Sequence, residues 1–308
     1  MATGHVPSTS EELTRVADLY LEALAAGDPA RAPLAENARY TENGQTLPFG
    51  KGIWAVMEGT PTYRLAFADP ARGQIGAFVV VTENGLEGVM SLRLKVDGAR
   101  IVEAEALVAR VGSPIFDPGS LVEPRPVFLQ PVEPSERASR EELVAIASSY
   151  FDAIEECGTR AGLTAPPPVH RDCYRLENGV RTTGTLSLSE LSETADAVRA
   201  EGFFAITRMR VLDQLAAGCF ELVAEVRDRR YPIVDEEHGL VFAIVLFDHP
   251  GTTKELELAG IGSLALPRDA LLPTTVMVAE LFKIESGQIQ AIEAVLNWFP
   301  FGMKSGWG

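Results

Sequence analysis

The sequence predicts an α+β protein made of two copies of one structural unit. Three segments recur in the same order along the 308 residues, and a repeat of fixed order indicates a duplicated fold. The recurring pairs are 11–20 with 141–150, 39–44 with 174–179, and 101–106 with 289–294. Each copy opens with helical periodicity and continues with strand-like segments, which is typical of a helix packed on an antiparallel sheet.

Composition argues against several classes of partner. The net charge of −16 opposes binding to nucleic acid or to an anionic membrane surface, and no stretch has the apolar length of a membrane span. The N-terminus lacks the apolar segment of a signal peptide, so we expect a cytoplasmic protein. Cys157, Cys173 and Cys219 form no closely spaced pair, so we expect free thiols and no metal site.

The elements of the first copy follow from periodicity. Apolar residues recur at helical spacing over 13–24, and Thr9 or Ser10 can cap this helix. We expect a short helix over 52–57. Strands are expected at 62–68, 74–81, 85–96 and 100–111.

The second copy repeats this plan. The same apolar helical face returns over 143–154, with Ser139 as the expected N-cap, and a further helix is expected over 188–199. Strands are expected at 205–214, 220–227, 240–247, 276–284 and 288–298.

A proline-rich segment separates the copies. Residues 113–138 contain six prolines, which predicts an extended linker without regular structure. The apolar residues Val127, Phe128 and Leu129 within it suggest that it packs against one of the units. The predicted organisation is therefore a unit at 8–112, the linker at 113–138, and a unit with an added segment and a C-terminal tail at 139–308.

The second copy is longer than the first after its Glu-Asn-Gly segment, and we expect the extra residues to include 229–239. An addition to one member of a duplicated pair is a common place for function. Tyr231, whose backbone is restrained by the following proline, could donate a proton there. Arg230 could bind a carboxylate or phenolate. A solvated, charged loop is the alternative.

Five segments carry a resemblance to a known family: 40–45 (YTENGQ), 50–54 (GKGIW), 175–179 (RLENG), 230–237 (RYPIVDEE) and 299–307 (FPFGMKSGW). With them, the chain resembles a tandem SnoaL-like protein over nearly its whole length. That group shares the cone-shaped α+β fold of nuclear transport factor 2 and ketosteroid isomerase, also called cystatin-like. The resemblance implies two tandem cones, each with helices packed on a curved antiparallel sheet around an apolar pocket.

The resemblance also implies a chemistry. Enzymes of this group perform proton-transfer reactions without a cofactor, and the nearest precedent is a sphingomonad diarylpropane lyase that releases formaldehyde from lignin-derived dimers. Single-copy relatives commonly dimerise through their sheets. A tandem chain is therefore expected to form an internal pseudo-dimer, with further homo-oligomerisation open.

The Glu-Asn-Gly segments supply the first candidate catalytic residues. Alternate residues of a strand share a face, which pairs Tyr40 with Glu42 and Arg175 with Glu177. In an apolar cone, burial would raise the pKa of Glu42 toward values useful for an acid or base. Arg175 could stabilise an oxyanion beside an ionised Glu177. The alternative is structural, with each glutamate holding the Asn-Gly turn.

Three more candidates are polar residues within otherwise apolar segments of the sequence. His249 ends an apolar strand and is a candidate general base, or a hydrogen-bonded structural histidine. Glu293 lies among apolar residues of the last strand and is a candidate acid. Tyr150, on the buried face of its helix, could polarise a carbonyl or simply pack in the core. Further candidate substrate-binding residues are Asn43, Trp54, Asn178 and Trp298.

The predicted function is that of a cofactor-independent lyase of the elimination or retro-aldol type, acting in the catabolism of a small lipophilic, lignin-derived aromatic compound. No glycine-rich phosphate loop is present, so no cofactor is expected. The second cone is the expected site because it is longer and has more unusual polar residues. The alternatives are an isomerase or dehydratase of the same group, or a non-catalytic protein that binds a small molecule.

Overall fold

The computed structural model describes residues 9–113, 115–158 and 163–307, and each half of the chain builds one helix-backed sheet. The first half comprises, within the described residues, helix α1 (Ser10–Ala25) and strands β1 (Leu34–Glu42), β2 (Gln45–Leu47), β3 (Met57–Asp69), β4 (Gln74–Glu83), β5 (Leu86–Asp97) and β6 (Arg100–Ala109). The predicted helix at 52–57 is a single 3-10 turn, Gly52–Ala55.

The second half is larger. Its described helices are α3 (Arg140–Gly158), α4 (Leu188–Ser192), α5 (Ala195–Glu201) and α6 (Val211–Ala217), and one helical turn, α2 (Pro126–Leu129), precedes them. Its strands are β7 (Val169–Glu177), β8 (Val180–Arg181), β9 (Glu225–Asp235), β10 (Leu240–His249), β11 (Glu255–Leu258), β12 (Gly262–Ala265), β13 (Thr274–Glu285) and β14 (Gln288–Pro300).

The two main sheets have the same topology. Their strand orders are β2-β1-β6-β5-β4-β3 and β8-β7-β14-β13-β10-β9. In each sheet one pair is parallel, β1 with β6 and β7 with β14, and the other pairs are antiparallel. The predicted fold class is therefore confirmed: the chain has two α+β units, each a helix on a six-stranded mixed sheet.

The opening helices form as their sequences predict. The Thr9 hydroxyl accepts from the Glu12 backbone N–H, and the Glu12 carboxylate accepts from the Thr9 N–H, which completes a capping box. Ser139 and Glu142 make the same exchange before α3. The apolar stripe of each helix lies against its own sheet and closes the interior core of that unit.

The outer faces of the two sheets pack against each other. Phe67 from the first sheet contacts Phe242 from the second at 5.0 Å between ring centroids, within a hydrophobic cluster that draws on both halves. Buried and half-buried polar contacts also cross the same interface. The Tyr63 hydroxyl donates to Glu293 at 2.5 Å, and the Arg230 guanidinium donates twice to Glu105, at 2.6 and 3.1 Å.

The proline-rich segment runs over this interface. Phe128 is 1% exposed and belongs to the cluster between the sheets, whereas Leu129 is 53% exposed. The prediction of a segment without regular structure was wrong for α2, because Pro126 stands at the first position of a helical turn, where its missing N–H costs nothing. The boundaries 8–112 and 139–308 stay a prediction, and residues 8, 114 and 308 lie outside the described residues.

The position of the added residues was predicted wrongly. Residues 229–235 belong to β9, which pairs with β10 as β3 pairs with β4, so 229–239 is not an addition to the repeated unit. The extra residues lie between β8 and β9 and between β10 and β13, where α4–α6 and the β11–β12 hairpin form a separate small core.

Two strand predictions that reach into these extra residues were wrong, and one of them, the strand expected at 220–227, overlaps β9 only from residue 225 onward. The expected strand at 205–214 is a 3-10 segment, Phe203–Arg208, followed by α6. Its apolar residues face two different cores at helical spacing, a pattern that a short window does not distinguish from a buried strand. The expected helix at 188–199 is divided into α4 and α5. Within the described ranges, no helix has the length and apolar character needed to cross a bilayer.

Candidate functional site

A cavity of about 320 Å³ opens inside the second cone. Its wall is mostly apolar and aromatic, and its polar groups are few. The polar side chains in its lining are Arg175, Glu177, Thr182, Thr207, Gln214, His249 and Asp269. Sequence reasoning had singled out Arg175, Glu177, His249 and Trp298, and the fold brings these four to one cavity.

The extra residues of the second half roof this cavity. Phe203 and Phe204 come from the 3-10 segment before α6, and Phe220 follows α6. Phe247 and Trp298 line it from the sheet. The aromatic wall is therefore assembled from the repeated unit, from the residues unique to the second half, and from Phe116 of the proline-rich segment.

Arg175 is the fixed cation of the site. Its three nitrogens donate to Tyr150 Oη at 2.6 Å, Thr182 Oγ1 at 3.0 Å and Gln214 Oε1 at 3.0 Å. Glu177 Oε1 lies 3.4 Å from Nε of Arg175. Burial, the largest influence, lowers the pKa of Arg175, but Glu177, Tyr150 and Glu280 together outweigh it, and the net result is a raised pKa. Tyr150 is not among the residues that line the cavity, and its hydrogen bond fixes the position of Arg175.

His249 presents an unused nitrogen. Its Nε2 is buried and has no hydrogen-bond partner within the described part of the chain. Burial lowers the pKa of His249 to about 4, although the charge of Asp248 opposes this shift. The imidazole is therefore neutral at pH 7, and a ligand hydroxyl in the cavity can satisfy Nε2.

A second acid lies in the interior of the same cone. Glu280 on β13 is 2% exposed and pairs with Ala294 on β14, which in turn pairs with Glu177 on β7. Residues paired directly across a sheet point to the same face, so both side chains face the cone from backbone positions about 10 Å apart along the sheet. Burial raises the pKa of Glu280 to about 8, with the charge of Arg175 opposing and that of Glu177 adding.

The corresponding row of the first cone has no second acid. There Glu42 pairs with Ala106, Ala106 with Leu92, and Leu92 with Ala77. In the second cone the order is Glu177, Ala294, Glu280 and Ala243. Glu280 thus stands where the first cone has Leu92, between two alanines that leave room beside it.

The residues at the mouths of the two cones also differ at matched positions of the sheets. In the first cone Arg110 donates to Glu42 at 2.7 Å and twice to Glu83 at 2.8 Å, which joins three strands in one ion cluster. By strand register, Trp298 takes the place of Arg110 and His249 the place of Glu83. The second cone therefore lacks this ion cluster and has cavity-lining residues at both positions.

The candidates of the first cone are packed together. The Tyr40 hydroxyl and the Ile53 backbone N–H both donate to Oε2 of Glu42, at 2.8 and 2.7 Å. Trp54 is 1% exposed and donates to Tyr20 at 3.2 Å, while Phe49 stacks on Tyr40. The carboxylate of Glu42 has its oxygens committed to an arginine, a phenol and a backbone amide.

Three candidates of the second half lie away from the cavity. Arg230 and Glu293 are in the interface between the sheets, bonded to Glu105 and Tyr63. Burial raises the pKa of Glu293, and Arg125 at 3.3 Å opposes this shift. Tyr231 packs on the interior core of the second unit, where burial raises the pKa of its phenol.

The two asparagines of the Glu-Asn-Gly segments bind backbone. Asn178 accepts from Leu296 N–H and donates to the carbonyls of Leu296 and Ile115, all at 2.9 Å. Asn43 makes the equivalent pair of bonds to Val108. Both residues have positive φ, at 45° and 52°, which asparagine tolerates better than most residues.

Sequence reasoning missed Glu280, Gln214 and the aromatic residues of the roof. One signal was available for Glu280, a lone acid inside the apolar run 276–282. No comparable signal marks Gln214, which the misread helix α6 carries into the site. Among the described residues, no group of three or more histidine, cysteine, aspartate or glutamate side chains is arranged to hold a metal ion.

A family model described as "Domain of unknown function (DUF8021)" matches residues 7–108 and 136–296. The chain belongs to this family. Its match covers most of both halves and leaves out the proline-rich segment. No curated protein matches the chain.

Solved structures match parts of the chain. An NTF2-like protein of unknown function from Cytophaga hutchinsonii is 11% identical, with 35% of this chain and 94% of that chain covered and a TM-score of 0.27. A protein of Kribbella flavida, provisionally named a ketosteroid isomerase, is 19% identical (38% and 91% covered, TM-score 0.28). A Catenulispora acidiphila protein with a ketosteroid isomerase-like fold, solved with trimethylamine, is 15% identical (32% and 85% covered, TM-score 0.25). These values say nothing about the activity of this chain.

Proposed function

We propose that the second cone is the active site of a cofactor-independent lyase that acts on a small lipophilic aromatic compound. The observation that carries this proposal is the cavity of about 320 Å³, whose apolar, aromatic wall includes Arg175, Glu177 and His249. This size is at the lower end of the range for small-molecule sites, and few convergent polar groups in an apolar cleft are typical of them.

Glu177 is the proposed base. It takes the proton of a substrate hydroxymethyl group, the adjacent carbon–carbon bond breaks, and formaldehyde leaves. The electron pair stays on the remaining aromatic fragment until Glu177 returns the proton. This retro-aldol sequence needs no redox partner, and a positioned carboxylate contributes roughly 10²–10⁴-fold to such a step.

Arg175 and His249 assist in different ways. Arg175 is held rigidly by Tyr150, Thr182 and Gln214, so it can stabilise an oxygen that becomes negative without reorganising. His249 accepts a hydrogen bond from a substrate hydroxyl through Nε2. Lignin-derived two-ring compounds, with an aromatic ring against Trp298 and the phenylalanines of the roof, are the proposed substrate class.

A binding role without chemistry is the second candidate. It is favoured by the ion pair between Glu177 and Arg175, which engages the carboxylate that would act as the base. Isomerisation or dehydration would use the same three polar groups and stays an alternative within the enzymatic proposal.

The test is a turnover screen of the purified protein with lignin-derived aromatic dimers and aryl ketones, with formaldehyde and product masses as readouts. Glu177→Gln should lower turnover by about 10²-fold or more, and Glu42→Gln, the matched change in the first cone, should leave it within about twofold. Thermal stabilisation by these compounds without turnover would favour the binding role. Equal losses in both variants would contradict the assignment to the second cone.

A further inference from the structure

Glu280 is a buried acid that the proposed reaction does not use. It lies in the interior of the second cone, two strands from Glu177, and it replaces the leucine found at this place in the first cone. Its neighbours in the sheet, Ala243 and Ala294, are too small to cover its carboxyl group. An acid at such a place is costly unless its charge is compensated or absent.

The groups that face Glu280 offer it no free counter-charge. The titratable groups that interact electrostatically with Glu280 are Cys173, Arg175 and Glu177 on β7, Tyr150 on α3 and Tyr231 on β9. Burial raises the pKa of the thiol and of both phenols, so all three are neutral at pH 7. The charges of Arg175 and Glu177 offset each other.

The protonation state of Glu280 affects the charge that Arg175 presents to the cavity. A guanidinium has five N–H donors, and three of those of Arg175 are bonded to uncharged oxygens. If Glu280 were ionised, it would compete with Glu177 for the one positive charge. If it is neutral, the cluster has no net charge, and an anionic oxygen that enters the cavity meets one carboxylate instead of two.

We propose that Glu280 holds a proton at neutral pH and thereby keeps the charge of Arg175 available to an anionic oxygen of a ligand in the cavity. Glu280 is in this sense a positioning residue that acts through Arg175. The ligand class is a lipophilic molecule with a carboxylate or phenolate oxygen, or one that becomes anionic during reaction. The inference rests on the proposed role of the cavity as a ligand site.

Infrared spectroscopy of the ligand-free protein tests the proton directly. At pH 7 we expect the carbonyl stretch of a protonated carboxyl group that is absent in Glu280→Gln and fades in the wild type as the pH passes about 8. The comparison with Glu280→Gln is required because burial also raises the pKa of Glu293. If the band is absent at pH 7, or is the same in both proteins, the inference is overturned.

Ligand binding tests the consequence. The probes are 2-naphthoate, an anion, and 2-naphthalenemethanol, its neutral counterpart, each titrated at pH 6 and pH 9. For the wild type we expect naphthoate affinity to fall about tenfold or more at pH 9 and the neutral probe to be unaffected. In Glu280→Gln, and in Glu280→Leu as a second neutral variant, naphthoate affinity should be the same at both pH values.

The outcomes separate the two proposals. Equal pH dependence for both probes, or a pH-dependent loss that persists in Glu280→Gln, would overturn the role of Glu280. Failure of both probes to bind the wild type at either pH would count against the cavity as a ligand site and so against this role. The infrared band in that case still shows whether Glu280 is protonated.

Discussion

The closed first cone and the open second cone differ by single residues at matched positions of the two sheets. Leu92 becomes Glu280, Arg110 becomes Trp298 and Glu83 becomes His249, each at the same place in the sheet. Replacing a leucine by an acid in a packed interior lowers the stability of the fold, and proteins accept such a cost mainly at functional sites. These three positions therefore distinguish the second cone from the first.

The first prediction concerns the stability of the second cone. Glu280→Leu restores the residue of the first cone and should raise the free energy of unfolding by about 1–4 kcal/mol at pH 8. Because burial raises the folded-state pKa of Glu280 to about 8, the stability that Glu280 contributes is fully present below its unfolded pKa and is lost as the pH rises to about 8. The gain should therefore be smaller near pH 5. Urea unfolding at both pH values measures it, and a pH-independent gain would contradict the account.

The second prediction concerns Asn178. Asn178→Ala removes three buried hydrogen bonds to backbone groups and should cost about 1–3 kcal/mol or more. Asn84→Ala is the matched control, because Asn84 has a similar positive φ of 48° but is exposed. Chemical denaturation of both variants separates hydrogen bonding from backbone strain. Equal costs would show that the backbone conformation alone is responsible.

At the level of elements, the second half differs from the first by helices α4–α6 and the β11–β12 hairpin. These elements have a small hydrophobic core of their own, and the segments that join them, at Phe203–Arg208 and after α6, supply Phe203, Phe204 and Phe220 to the aromatic wall. The proline-rich segment contributes Phe116 to the cavity lining, and its helical turn α2 inserts Phe128 between the two sheets.

The third prediction concerns this helical turn. Phe128→Ala should destabilise the protein by about 3–5 kcal/mol, because Phe128 is 1% exposed within the interface cluster. Leu129→Ala, on the next residue and 53% exposed, should change stability by less than about 0.5 kcal/mol. Thermal unfolding compares the two. A small effect at Phe128 would mean that the segment does not stabilise the packing of the two halves.

The sequence predicts the repeated framework better than the site. The opening helices and most strands follow from periodicity because their apolar faces are long and regular, as from Leu13 to Leu24. The extra residues could not be assigned correctly, since short apolar runs such as 205–214 fit a strand or a helix. Arg175 and Glu177 were found from alternation along one strand. Glu280 lies near them only because β13, β14 and β7 pair side by side, and this pairing cannot be read from a single sequence.

At the scale of the whole molecule, the duplication gives two cones with different contents. The first is filled by Tyr20, Tyr40 and Trp54 and closed by an ion cluster, and the second has a cavity. The sheets of the two halves pack back to back through one hydrophobic cluster. In this arrangement the first unit supports the second, and we propose that ligand binding occurs in the second alone.

The fourth prediction exchanges the mouth residues. Trp298→Arg combined with His249→Glu copies the ion cluster of the first cone next to Glu177 and should weaken 2-naphthoate binding by about tenfold or more. The matched control is Arg110→Trp combined with Glu83→His in the first cone, which should leave this affinity within about twofold. Calorimetric titration measures both, with circular dichroism to confirm folding. Unchanged affinity in the first double variant would contradict the role of the mouth.

The central claim is that the second cone, and not the first, takes the ligand. A crystal structure of the protein soaked with 2-naphthoate tests it most directly. We expect one naphthoate in the second cone, with its carboxylate near Arg175 and His249 and its rings against Trp298 and the phenylalanines of the roof. A naphthoate bound in the first cone, or a second cone that stays empty while naphthoate binds elsewhere, would contradict it.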